Sequence, residues 1–153
     1  MAVYKIFPTK DASLYSEFPS MNTGLDAIIE ASTYLKLGTP QVSRYLIQFS
    51  TTEIQNLLNN RVNGASFSSS LKNSAAVVTS LNLDTELEVH TISGSWGMGT
   101  GRYGNSPQTT NGTSWVWRSY SGSNAWLSTG SDSYVSPVYS QSFAYSDPID
   151  ISV

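Results

Sequence analysis

The stretch "GSWGMGTGRYGNSPQTTNGTSWVWR", residues 94–118, decides the fold class. Gly99, Gly101 and Gly104 spell G-x-G-x-x-G, the pattern that brings a backbone close to a pyrophosphate in dinucleotide-binding α/β proteins. That chemistry needs a strand before the glycines and a helix after them, because the N–H groups at the helix start hold the anion. Here Asn105, Ser106 and Pro107 follow, then another turn cluster, so no helix opens and the match is accidental. A Walker-type Gly-Lys-Ser/Thr sequence is absent as well. The segment reads instead as a long flexible loop between a strand ending near Ile92 and a strand over Thr113–Arg118. Residues 97–112 are expected to be dispensable for folding.

Outward from that loop, short segments of alternating polarity recur with turn residues between them, the signature of an all-β chain. Val3–Phe7, Ala12–Tyr15, Tyr34–Leu37 and Arg44–Phe49 read as the first strands, with Thr39-Pro40 separating the last two. Ala65–Leu71, Leu83–Ile92, Thr113–Arg118 and Ser133–Tyr145 read as later ones. One segment breaks the rhythm. In "FSTTEIQNLLNNR", Ile54, Leu57 and Leu58 fall at helical spacing, and Ser50 to Glu53 or Thr52 to Gln55 can form a capping box, so a short helix is expected near 52–60. A doubly wound sheet needs several long helices. The economical architecture is therefore all-β, an antiparallel β-sandwich of jelly-roll type with one short helix. Residues 1–153 form a single domain in this reading, and the alternation Ile149, Ile151, Val153 suggests the front part of a longer chain.

Composition bounds the function. A chain of 153 residues buries about 68–70% of its unfolded surface. It has no cysteine, which removes disulfides, thiolate metal sites and cysteine nucleophiles together. Eight basic and 11 acidic residues give a net charge of -3, too little for a nucleic-acid footprint or an acidic tail. Ser and Thr supply 41 residues, so the surface is neutral and rich in hydroxyls, which suits strands and loops better than helices. The N-terminus lacks a signal-type apolar core and no run reaches 18 apolar residues, so synthesis in the cytoplasm and no membrane association are expected.

The landmarks "KDASLYSEFPSMNTG", "SRYLIQFS", "LEVHTISGSWGMGTGRYG" and "NGTSWVWRSYSGSNAWLSTGSDSY" follow one another in the order seen in DNRLRE-type domains, which this chain resembles over about residues 6–135. These are β-sandwich modules similar to carbohydrate-binding modules. The corresponding positions are Asp11, Arg44, Phe49, Trp96, Trp115 and Trp126. Independently of the family, a guanidinium at Arg44 can stay charged by pairing with Asp11 or another carboxylate. Trp115 and Trp117, two apart, are expected to share one face of a strand, and Trp96 and Trp115 are expected in the core.

Enzymatic constellations are poor, and no catalytic role is expected. The single histidine, His90, falls in the polar set of an alternating strand with Glu86 and Glu88, two carboxylates on one strand rather than across a cleft. No Gly-x-Ser-x-Gly elbow accompanies it. No cofactor or metal is assigned; a structural calcium would need several of Asp11, Asp26, Asp132 and Asp147 brought together. The enriched feature is aromatic: Trp96, Tyr103, Trp115, Trp117, Tyr120 and Trp126 lie amid Ser, Asn and Gly. Tyr103, Trp117, Tyr120 and Trp126 are the candidate binding residues for a glycan or a protein partner.

Together these features predict a bacteriophage virion structural protein, a fibre, spike or decoration component anchored through a DNRLRE-like sandwich. Its partners would be other virion proteins or copies of itself, and a glycan as a further ligand. The alternative is a non-catalytic carbohydrate-binding module of a surface or secreted protein.

Overall fold

The computed structural model describes residues 3–62, 71, 85–90, 92, 94–126 and 139–143. The expected strand at 65–71, except Leu71, and most of that at 133–145 lie outside the described residues. The regular elements described are mostly strands, in antiparallel sheets, with one short helix. No helix among the described residues is long and apolar enough to cross a membrane.

The largest sheet has three strands, β1 (Lys10–Tyr15), β2 (Ser32–Lys36) and β3 (Thr39–Gln48), in the order β1-β3-β2. β2 and β3 form a two-residue hairpin through Leu37 and Gly38, whose φ values of 51° and 79° meet the type I′ condition of positive φ at both turn residues. Leu37 at that position hides the hairpin from a reader looking for Asn-Gly, and Thr39-Pro40, expected as the separator, belongs to β3. Proline is tolerated there for a geometric reason. Lys36 and Thr39 flank the turn as a hydrogen-bonded pair, so Leu35 and Pro40 form the next, non-bonded pair, and the N–H that Pro40 lacks would point away from β2. Two residues on, Val42 shows where that direction leads: its N–H donates to Ser16 Oγ at 2.8 Å and its carbonyl accepts from Ser16 N at 3.0 Å.

Pairing of β1 with β3 sets Ala12 opposite Leu46 and Leu14 opposite Arg44. Ala12, Leu14 and Leu46 share one face and, with Trp96 and Trp126, make the core cluster; Ile92, Met98 and Trp115 pack against it. Asp11 pairs with Ile47, three residues from Arg44, which puts Asp11 on the opposite face of the sheet. Asp11 therefore does not face Arg44, whose guanidinium lies 5.3 Å from the Trp115 ring centre, a cation–π contact.

The helix α1 spans Thr51–Leu57 and continues as a π-helical turn over Leu58–Val62. Ser50 is its cap, with Glu53 N donating to Ser50 Oγ at 3.2 Å. β4 (Thr85–Val89) pairs with β7 (Tyr139–Phe143), and β5 (Trp117–Ser119) with β6 (Asn124–Ala125). Val3–Phe7 is not a strand, and Val3 and Phe7 are exposed. It does not extend the sheet beside β1, whose outer edge is taken at its middle by Thr23: Ser13 N donates to Thr23 Oγ1 at 3.0 Å, and that hydroxyl donates to Ser13 O at 2.6 Å.

Candidate recognition site

The glycine-rich segment is a packed part of the molecule, contrary to the flexible loop expected from its composition. Its anchor is Asn22, whose side chain is fully buried. Asn22 Nδ2 donates to Met98 O at 2.7 Å and to Thr113 O at 2.9 Å, while Oδ1 accepts from Gly101 N at 2.7 Å and from Gly24 N at 3.4 Å. Backbone bonds from Asn22 N to Thr109 O (2.8 Å) and from Leu25 N to Gly101 O (2.9 Å) complete the attachment. The approach is close enough to demand glycine. A Cβ on Gly101 would land on the Asn22 carbonyl, and one on Gly24 would land on that of Met98. Gly99 and Gly101 of the G-x-G-x-x-G match pack against the buried Asn22 rather than a phosphate.

Beyond this anchor the segment is tied by its own side chains. Asn111 Oδ1 accepts from Thr100 N at 3.0 Å, and Asn105 Oδ1 accepts from Arg102 N at 2.7 Å. The next backbone N–H, of Tyr103, donates to both Asp26 carboxylate oxygens at 3.0 and 3.2 Å. The Tyr103 ring lies 5.2 Å from that of Tyr15 and 5.8 Å, edge-on, from that of Phe18. With both backbone and ring held, it remains 54% exposed.

Three tyrosines line this ledge, each bonded to a different carboxylate. Tyr15 Oη donates to Glu30 Oε2 at 3.2 Å, and Tyr34 Oη donates to Glu17, which also accepts from Lys36 Nζ. Burial, then the neighbouring Glu30 charge, pushes the Tyr15 phenol well above its ordinary value. The hydrogen bond to Glu17 pushes Tyr34 up to about 12. Hydrogen bonds from Lys36 and then Tyr34 hold the Glu17 carboxyl below its ordinary value. These phenols stay neutral donors, and the ledge offers flat rings beside hydrogen-bonding oxygens.

The four candidate binding residues part company. Tyr103 stands on the ledge. Trp117 and Tyr120 form a separate edge-on pair, centroids 5.4 Å apart, with Tyr120 43% exposed. Trp126 is placed in the core, 6% exposed, its Nε1 donating to Ser114 O at 2.9 Å, so its ring is not a surface group. Trp115 and Trp117 do not share a strand face either. Ser114 closes a tight turn, with Ser114 N donating to Trp117 O (2.8 Å) and Trp117 N to Ser114 Oγ (3.2 Å), so β5 begins only at Trp117.

Sequence reasoning missed Tyr15, Phe18 and Tyr34. Spacing gives no sign of them, because Asp26 and Tyr103 are 77 positions apart and meet through the attachment at Asn22 and Leu25. Of the four aspartates considered for calcium, Asp132 and Asp147 lie outside the described residues, and Asp26 is engaged with Tyr103. Among the described residues, no group of three metal-ligating side chains comes together. Compared with family models, with curated proteins and with solved structures, the chain matches none.

Proposed function

We propose that this chain is a non-catalytic structural module of a bacteriophage virion, a fibre, spike or decoration component built on a DNRLRE-like jelly-roll sandwich and made in the host cytoplasm. The observation that carries the recognition role is Tyr103: an aromatic ring more than half exposed, yet fixed by a carboxylate at its backbone and by two rings at its flank. A side chain already ordered before contact loses little entropy on binding, which is what an attachment surface requires. The DNRLRE likeness draws support from its landmarks: Trp96 and Trp126 meet in the core cluster, and Arg44 lies over the Trp115 ring that packs against it. A neutral, hydroxyl-rich, cysteine-free chain fits an assembly role better than catalysis.

Glycan binding is the second reading, favoured by the ring and carboxylates of the ledge, since sugars present apolar faces to rings and hydroxyls to acceptors. One experiment separates the two. Purified protein is mixed with virion particles lacking it and, separately, screened on immobilised glycans. Co-sedimentation with particles that Tyr103→Ala abolishes supports the virion role. Glycan capture without particle binding supports the alternative, and neither would overturn both.

A further inference from the structure

We propose that β2 is an assembly edge, pairing antiparallel with β2 of a second copy of this chain. The three-stranded sheet has two outer edges, and they are treated differently. That of β1 is covered at its middle, where the buried Thr23 hydroxyl serves both Ser13 N and Ser13 O. That of β2 is open. Because Lys36 and Tyr34 bond inward to Thr39 and Gln41, the backbone N–H and C=O of Thr33 and Leu35 point outward, and no described residue bonds them. The strand has neither a proline nor a bulge, its one charged side chain, Lys36, is drawn to Glu17, and Tyr34, Leu35 and Leu37 are 42%, 73% and 100% exposed.

Charge selects the occupant. Glu30 lies at the entry to the strand and Lys36 at its exit, with Lys36 still 53% exposed while it holds Glu17. A second copy running antiparallel brings the Lys36 end of each strand to the Glu30 end of the other, whereas a parallel copy would set like against like. Geometry supplies the register. Pairing Thr33 with Leu35 of the other copy, twice, uses all four outward N–H and C=O pairs and sets the two Tyr34 residues opposite each other at the two-fold axis. Formation of this edge does not depend on the virion or glycan reading of the Tyr103 ledge.

The native chain lacks cysteine, so single-cysteine variants report the register without interference. Facing residues of a non-hydrogen-bonded pair have Cα atoms about 4.5 Å apart, within disulfide range. Under mild oxidation Tyr34→Cys should become a disulfide-linked dimer much faster than Leu37→Cys, although position 37 is the more exposed. Sedimentation of the unmodified chain across the micromolar range should show a dimer. Leu35→Pro, which removes only an outward N–H, should make it monomeric with its thermal unfolding retained; Leu35→Lys tests the same edge should the proline variant fail to fold. A monomer throughout, a dimer that survives both Leu35 variants, or faster linkage at position 37 overturns the proposal. Failure of particle or glycan binding with the dimer intact would count against the ledge alone.

Discussion

An asparagine amide has two donors and two acceptor sites, and at Asn22 all four are used inside the protein. Removing that side chain leaves Met98 O, Thr113 O and Gly101 N buried without their partner, at about 1–3 kcal/mol each. The three are neighbours and will not add fully, so Asn22→Ala should lower unfolding free energy by about 3–5 kcal/mol in urea titration. Asn22→Asp should cost at least as much, since a carboxylate cannot donate to the two carbonyls. Trp126→Ala should fall in the same range, about 3–5 kcal/mol, through lost packing. Tyr103→Ala should behave otherwise: a small change in melting temperature, with attachment to particle or glycan weakened by more than about 1 kcal/mol. The sequence showed Trp96 as core and Tyr103 as a surface ring because ring size and turn neighbours speak to each. It was silent on Asn22, a polar residue whose importance comes entirely from partners far along the chain.

At the scale of elements, what could be read from residues 94–118 was what the segment is not. The missing helix after Gly104 rules out a phosphate cradle, but glycine content by itself does not distinguish mobility from close packing. The structure separates two uses of glycine within that one match. Gly104 has φ 81° and open space around it, so Gly104→Ala should cost about 1–2 kcal/mol from the left-handed backbone alone. Gly101 has no room, so Gly101→Ala should disrupt the Asn22 attachment and destabilise much more, as the difference in denaturation midpoints will show. Shortening 97–111 should likewise be destructive rather than neutral, because it removes the carbonyls and N–H groups that satisfy Asn22. Strands β1 and β3 were legible because their alternation is real and their faces are unlike: Ala12, Leu14 and Leu46 against Ser13 and Ser43. The I′ turn at Leu37-Gly38 was not, because a leucine at positive φ carries no turn signal.

Among the described residues, hydroxyls, amides and rings make most of the contacts that join the sheets and the ledge, and the response to solution conditions should reflect that. Tyrosine ionisation should weaken the ledge at alkaline pH. Tyr34 is raised in the folded protein from an ordinary value near 10 to about 12, so its contribution is present below about 10 and lost as pH climbs toward 12. Glu17 works in the opposite sense, its lowered carboxyl contributing above the ordinary glutamate range and losing that contribution as acid protonates it. Glu17→Gln should therefore bring Tyr34 ionisation, followed by phenolate absorbance, back toward about 10. Association should be nearly blind to salt at the ledge. A contact made by rings and hydrogen bonds lacks the long-range attraction that salt screens over about 8–10 Å, and the chain carries only eight basic residues. Attachment of the purified protein to particles or glycan should change by no more than about twofold between low and physiological salt, whereas a partner held by phosphate contacts would lose about 10³-fold or more. A steep salt dependence in that titration would show that the Tyr103 ledge is not what holds the partner.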